Sequence, residues 1–184
     1  MPRKRAKSAL LILDMISDFR FPDGERIVRS AQRVSVNISR LKERAHAHGT
    51  PVIYVNDTGG KWESDQRAFI RRCLQPTAKG RRVVEALAPS DQDYFMFKPR
   101  HSAFFGTPLE TLLRRLRVGR LVVTGTTSHQ CVLFTAMDAH VREYELAIPS
   151  DCISAPSIAD TRHALYILSR ALNADIGRAR SIRW

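Results

Sequence analysis

Three residues of this sequence have the types needed for nucleophilic chemistry: a thiol at Cys131, a carboxylate at Asp14 and an amine at Lys98. A thiol supplies the nucleophile, a carboxylate moves its proton, and a neighbouring ammonium favours the anions that form. Cys131 closes the stretch Thr124-Gly125-Thr126-Thr127-Ser128-His129-Gln130-Cys131, directly after an apolar run at 121–123. That order reads as a buried strand, a tight Gly turn and the first turn of a helix. Unpaired N–H groups and the positive end of the dipole favour anions at a helix start. The sequence therefore predicts a thiol poised to ionise, beside N–H groups able to hold a developing oxyanion.

Asp14 and Lys98 occupy matching places. The apolar run 8–13 stops at Asp14, and the run 93–97 stops at Lys98. Short runs rich in aliphatic or aromatic residues read as buried strands. Ligands of open parallel sheets bind at the carboxyl ends of strands, so the three side chains are expected to converge on one edge of the sheet.

The remaining pattern supplies that sheet. A helix is expected over 25–48, with Ile27, Val28, Ala31, Val34, Ile38, Leu41 and Ala45 at helical spacing and His48-Gly49 as its close. A strand follows at 52–55, then short helices at 64–73 and 80–87, and a strand at 93–97. Pro108, with Thr107 as cap, opens a helix over 108–117. Next come a strand at 120–124, the helix bearing Cys131, which runs to about Tyr144, a strand at 145–148 and a helix at 157–171. Residues 174–183 are expected to form a short sixth strand. Alternating strands and helices imply a three-layer α/β/α fold, Rossmann-like, with a mostly parallel five- or six-stranded sheet. Neither GxGxxG nor GxxxxGK[ST] occurs, so the usual phosphate-cradling loops are absent.

The chain of 184 residues is long enough for one core, and 43% hydrophobic content suits a globular domain. Residues 1–7 read as a basic tail and 8–184 as a single domain. The net charge of +12 is spread over separate segments, and aromatic residues do not interleave with it. No specific nucleic-acid partner is expected. No run approaches the roughly 20 apolar residues of a membrane span, so no membrane partner is expected either. Cysteines at 73, 131 and 152 form no CxxC pair and no dense framework, which points to a reducing, cytoplasmic setting.

Taken jointly, three segments resemble the isochorismatase-like cysteine hydrolases, a family that includes nicotinamidases, carbamoyl-amide hydrolases and isochorismatases. They are Leu13-Asp14-Met15-Ile16-Ser17-Asp18-Phe19, the stretch from Lys98 through Ser102-Ala103-Phe104-Phe105 to Leu109, and Gly125 to Val132 with Thr135-Ala136-Met137-Asp138-Ala139 following. The resemblance implies a catalytic triad of Asp14, Lys98 and Cys131. It also implies a cis peptide between Thr126 and Thr127, and an oxyanion hole formed by the backbone N–H groups of Thr127 and Cys131. It implies hydrolysis of an amide or carbamoyl C–N bond of a small-molecule substrate without a cofactor, and self-association as a dimer or tetramer.

The sequence departs from the family pattern in two places. Nicotinamidases of the family hold a metal through an Asp followed closely by His and a further His. Asp57 keeps the carboxylate, but no histidine lies between 49 and 100, so no metal is expected. His129 stands where the family often has Asp. Phe19, Asp57, Trp62 and Phe105 are the expected lining of the substrate pocket. Two other readings stay open. Vinyl-ether hydrolysis of the isochorismatase type fits poorly, because relatives doing that chemistry typically lack the cysteine. A non-catalytic binding module leaves the three assembled groups without a use.

Overall fold

The computed structural model describes residues 7–59 and 65–184. In chain order the elements are β1 (Lys7–Leu13), α1 (Gly24–Ala47), β2 (Val52–Asp57), α2 (Gln66–Cys73), α3 (Arg81–Ala86) and β3 (Tyr94–Lys98). These are followed by α4 (Leu109–Arg115), β4 (Val118–Thr126), a π-helical turn (Ser128–Val132) and α5 (Leu133–Val141). The chain closes with β5 (Glu145–Ala147), β6 (Ile153–Ser154), α6 (Ile158–Ala171) and a 3₁₀ turn (Ala179–Ser181). No helix among the described residues is long and apolar enough to cross a membrane.

Among the described residues all strand pairings are parallel, in the order β3-β2-β1-β4-β5, with β6 also paired to β4. Period-2 alternation sends successive side chains of β1 to opposite faces. Leu10 and Ile12 pack with α1, α2 and α3, whereas Ala9, Leu11 and Leu13 pack with α4, α5 and α6. Because both faces are covered, β1 reads as continuous apolar sequence. Ile27, Val28, Ala31, Ile38, Leu41 and Ala45 form the buried stripe of α1. Burying each of the larger of these side chains contributes roughly 1.5–3 kcal/mol before entropic losses. Gly49, at φ 64, ends the helix in the left-handed region where a side chain is strained.

The order reverses between β1 and β4. From β1 the chain moves outward through β2 to β3, and it then returns to the other side of β1 for β4. Such a reversal leaves a crevice above the carboxyl ends of the two strands. Gly125 lets the strands meet there, since a Cβ at that position would lie 2.1 Å from the carbonyl oxygen of Leu13.

Two expectations are corrected. The sixth strand is Ile153–Ser154, not 174–183. The latter segment makes a single parallel bridge, Ala147 to Asp175, and then turns away. Its turn chemistry wins: Gly177 N donates to the Asp175 carboxylate at 2.9 Å, and Ser181 N donates to Arg178 O at 2.9 Å. Lys7 belongs to β1 rather than to the tail, and residues 1–6 lie outside the described residues.

Candidate active site

Asp14 follows the last residue of β1, Lys98 ends β3, and Cys131 lies in the turn after β4. The fold brings them together. Lys98 Nζ lies 2.9 Å from Asp14 Oδ2, 3.4 Å from Cys131 Sγ and 3.1 Å from the carbonyl oxygen of Arg100. Asp57, at the end of β2 and paired in register with Lys98, has its carboxylate 3.7 Å from the same ammonium. Its backbone N–H donates to Asp14 Oδ1 at 2.6 Å. The carboxylate of Asp57 also accepts from Gly59 N at 2.6 Å, which fixes the start of the loop. The side chain of Lys98 is fully buried, and that of Asp14 is 15% exposed.

Burial decides the protonation balance. Desolvation lifts the Asp14 carboxyl above its ordinary value, and Lys98, Cys131 and Asp57 offset this only in part. Burial draws Lys98 downward, but Asp14, Cys131 and Asp57 outweigh it and leave the amine raised. The Cys131 thiol is pushed up by burial and then by Asp14, with Lys98 opposing. Burial and Asp14 thus favour the thiol, and Lys98 favours the thiolate. The position of Cys131 differs in detail from the expected one, because a π-helical turn precedes α5, with Val132 N donating to Thr127 O at 3.2 Å. Cys131 is buried within that turn, two residues before the regular helix starts. The Thr126–Thr127 peptide is cis.

A cavity of about 570 Å³ opens over these groups. Asp14, Asp57, Thr126, Thr127 and Cys131 line its base, and Phe19, Phe69 and Cys73 line its apolar wall. Phe19 is held by Gly80, whose missing side chain leaves room for the Phe19 ring. Phe105 is not part of the wall. It is 59% exposed, because its loop turns outward through Gly106 at φ 65. Trp62 lies outside the described residues. His129 does not line the cavity. Among the described residues, no group of three or more His, Cys, Asp or Glu is placed to hold a metal ion.

The cavity also draws in residues that sequence reasoning does not single out: Arg20, Arg72, Gln130 and His101. His101 approaches Cys131 Sγ to 3.9 Å through Nδ1. Its only sequence signal is its place three residues after Lys98, in a loop without periodicity.

Residues 8–179 match the isochorismatase domain model. The chain belongs to the isochorismatase family. It is 41% identical over 172 residues to the uncharacterized isochorismatase family protein YaaI of Bacillus subtilis (strain 168), covering 94% of each chain. Among solved structures it is similar to an isochorismatase family protein from Desulfovibrio vulgaris subsp. vulgaris str. Hildenborough. The TM-score is 0.78 at 28% identity, over 96% of both chains. It is also similar to the N-carbamoylsarcosine amidase of Thermoplasma acidophilum, with a TM-score of 0.69 at 28% identity, over 97% of this chain and 99% of the other. The isochorismatase family chain is a hydrolase with a mostly parallel central sheet.

Proposed function

We propose that this hydrolase cleaves an amide or carbamoyl C–N bond of a small molecule through a thioester at Cys131, without a metal. The observation that carries this reading is the single ammonium of Lys98, 2.9 Å from the Asp14 carboxylate and 3.4 Å from the Cys131 sulfur. The likeness to an amidase over almost the whole chain supports it.

The chemistry follows from the protonation balance. Asp14, with its raised affinity for a proton, takes the thiol proton as Sγ attacks the carbonyl carbon. Lys98 offsets the negative charge on sulfur and carboxylate. The carbonyl π bond becomes an oxyanion, for which the Thr127 and Cys131 N–H groups are the assigned donors. Asp14 passes its proton to the leaving nitrogen, the C–N bond breaks, and an acyl-thioester remains. Water then adds to that carbon while Asp14 accepts its proton. The C–S bond breaks, and Asp14 returns a proton to sulfur. Every proton that Asp14 takes is given back, so one carboxylate serves both halves of the cycle.

Self-association as a dimer or tetramer belongs to the same reading. The exposed apolar side chains Phe134, Met137 and Val141 on α5 support it.

Ammonia release from a panel of primary amides, ureas and carbamoyl compounds tests the reading, comparing the native enzyme with Cys131→Ala. Release by the native enzyme is expected, with a loss of about 10³-fold or more in the variant. Turnover surviving in Cys131→Ala overturns the covalent route.

A further inference from the structure

His101 stands beside the reacting sulfur, and the mechanism above leaves it unused. Its Nδ1 lies 3.9 Å from Cys131 Sγ, and the residue lines the cavity together with Thr126, Thr127 and Gln130. The ring is held in place. It lies against Phe134 of α5, with centroids 5.5 Å apart and the planes tilted by 52°. The loop beneath it is anchored to the same helix. Ser102 Oγ donates to the Asp138 carboxylate, and Ala103 N donates to Thr135 Oγ1 at 3.0 Å. Lys98 Nζ holds the carbonyl oxygen of Arg100, one residue before His101.

The sulfur is already engaged from its other neighbours. Asp14 acts on the thiol, and Lys98 donates to Sγ at 3.4 Å. His101 is therefore not needed to make the nucleophile. It is exposed, whereas Lys98 is fully buried, so it approaches from the side that faces the open cavity. An atom bonded to the carbon under attack is two bonds from sulfur. On the side of the sulfur that His101 occupies, such an atom comes within hydrogen-bonding reach of a nitrogen 3.9 Å from that sulfur.

We propose that His101 determines specificity by accepting a hydrogen bond, through Nδ1, from an N–H on the scissile nitrogen. The substrate class is then an amide or carbamoyl compound whose scissile nitrogen carries a hydrogen. Such a nitrogen keeps one N–H for His101 and leaves its lone pair to receive the proton from Asp14. An ester oxygen carries no hydrogen and satisfies only the second of these needs. Sites that read an N–H reject the analogue lacking it far more strongly than apolar pockets discriminate by size. The inference rests on the amidohydrolase reading.

The test uses acetamide, benzamide and nicotinamide, each beside its methyl ester. kcat/KM for both members of a pair is measured in the native enzyme, His101→Phe and His101→Asn. Acylation of Cys131 by the esters is followed by mass spectrometry. Phe keeps a ring against Phe134 but cannot accept a hydrogen bond; Asn restores a short acceptor. In His101→Phe the amide is expected to lose about 10²-fold more than its ester, and His101→Asn is expected to recover part of that difference. An amide-to-ester ratio that stays constant across the three proteins overturns the proposal, because a purely structural role lowers both members alike. Esters that acylate Cys131 while no amide reacts also overturn it, and leave the thioester route standing. No acylation by any compound defeats the amidohydrolase reading itself.

Discussion

Just before β3, the Asp93 carboxylate meets Lys42 at 2.9 Å and His46 at 2.7 Å; at the end of the same strand, Lys98 meets Asp14 at 2.9 Å. Both carboxylates are largely removed from water, and burial is the largest influence on each. They are nevertheless tuned in opposite directions. Asp93 receives hydrogen bonds from Ser90 N at 2.8 Å, Ser90 Oγ at 2.9 Å, Lys42 and His46, and these outweigh burial and hold it below its ordinary value. Asp14 shares the Lys98 ammonium with a thiol, a second carboxylate and a carbonyl oxygen, so burial prevails and its proton affinity rises. A carboxylate saturated with donors ties α1 to the sheet. One left short of donors can take up and release a proton.

Removing the shared cation has the largest expected effect. In Lys98→Met, burial acts on Asp14 without its main opposing charge, and the forming thiolate loses its ammonium. Turnover is expected to fall by about 10²–10³-fold, in line with the loss of one preorganised charge-stabilising group. The acid limb of the pH–rate profile is expected to move to higher pH. A profile that keeps its acid limb shows that Lys98 does not set the proton affinity of Asp14.

The second-largest effect belongs to the other pair. Asp93→Asn leaves Lys42 without its counter-charge and weakens the bond to His46. A loss of about 2–3 kcal/mol of stability is expected, at or below the low end of the roughly 3–5 kcal/mol for a fully buried pair, because Lys42 and His46 keep partial access to water. Denaturant titration measures it, and kcat of the folded enzyme stays unchanged. Stability unaffected by the substitution would mean that the donor network contributes nothing net.

The strand ends are legible in the sequence because buried parallel strands are apolar on both faces. Asp14 and Lys98 therefore stand out as the charges at which those runs stop. The order of the sheet leaves no comparable signal, yet alternation of elements and the Gly at 125 are enough to place Cys131 beside Asp14. The loops are less legible. The outward turn of Phe105 depends on Gly106, and the inward position of His101 depends on Ser102 and Ala103 finding Asp138 and Thr135, more than thirty residues later. Contacts of that kind have no period to read. The state of the thiol escapes a local reading for a related reason. The helix-start argument favours an anion, but Cys131 is 8% exposed, and burial opposes it.

Acidification separates the two carboxylates with the smallest intervention. Asp93 has a folded pKa depressed below the ordinary 3.8, so its contribution to stability is fully present above that value. It is lost only as pH falls through the depressed value. Asp14 has a folded pKa raised above 3.8. The folded state therefore binds its proton more tightly than the unfolded chain does, and this contribution is present below 3.8 and lost as pH rises through the raised value. As pH falls between the raised value and 3.8, Asp14 loses its capacity as a base while neither carboxylate withdraws stability. Activity is expected to disappear in that window while thermal unfolding followed by circular dichroism shows the fold intact. In Asp14→Asn no carboxyl is left to protonate at this position. The rise in melting temperature that Asp14 protonation brings across the window is accordingly expected to vanish from the variant. Activity and fold failing together at one pH would mean that the two carboxylates are not tuned apart.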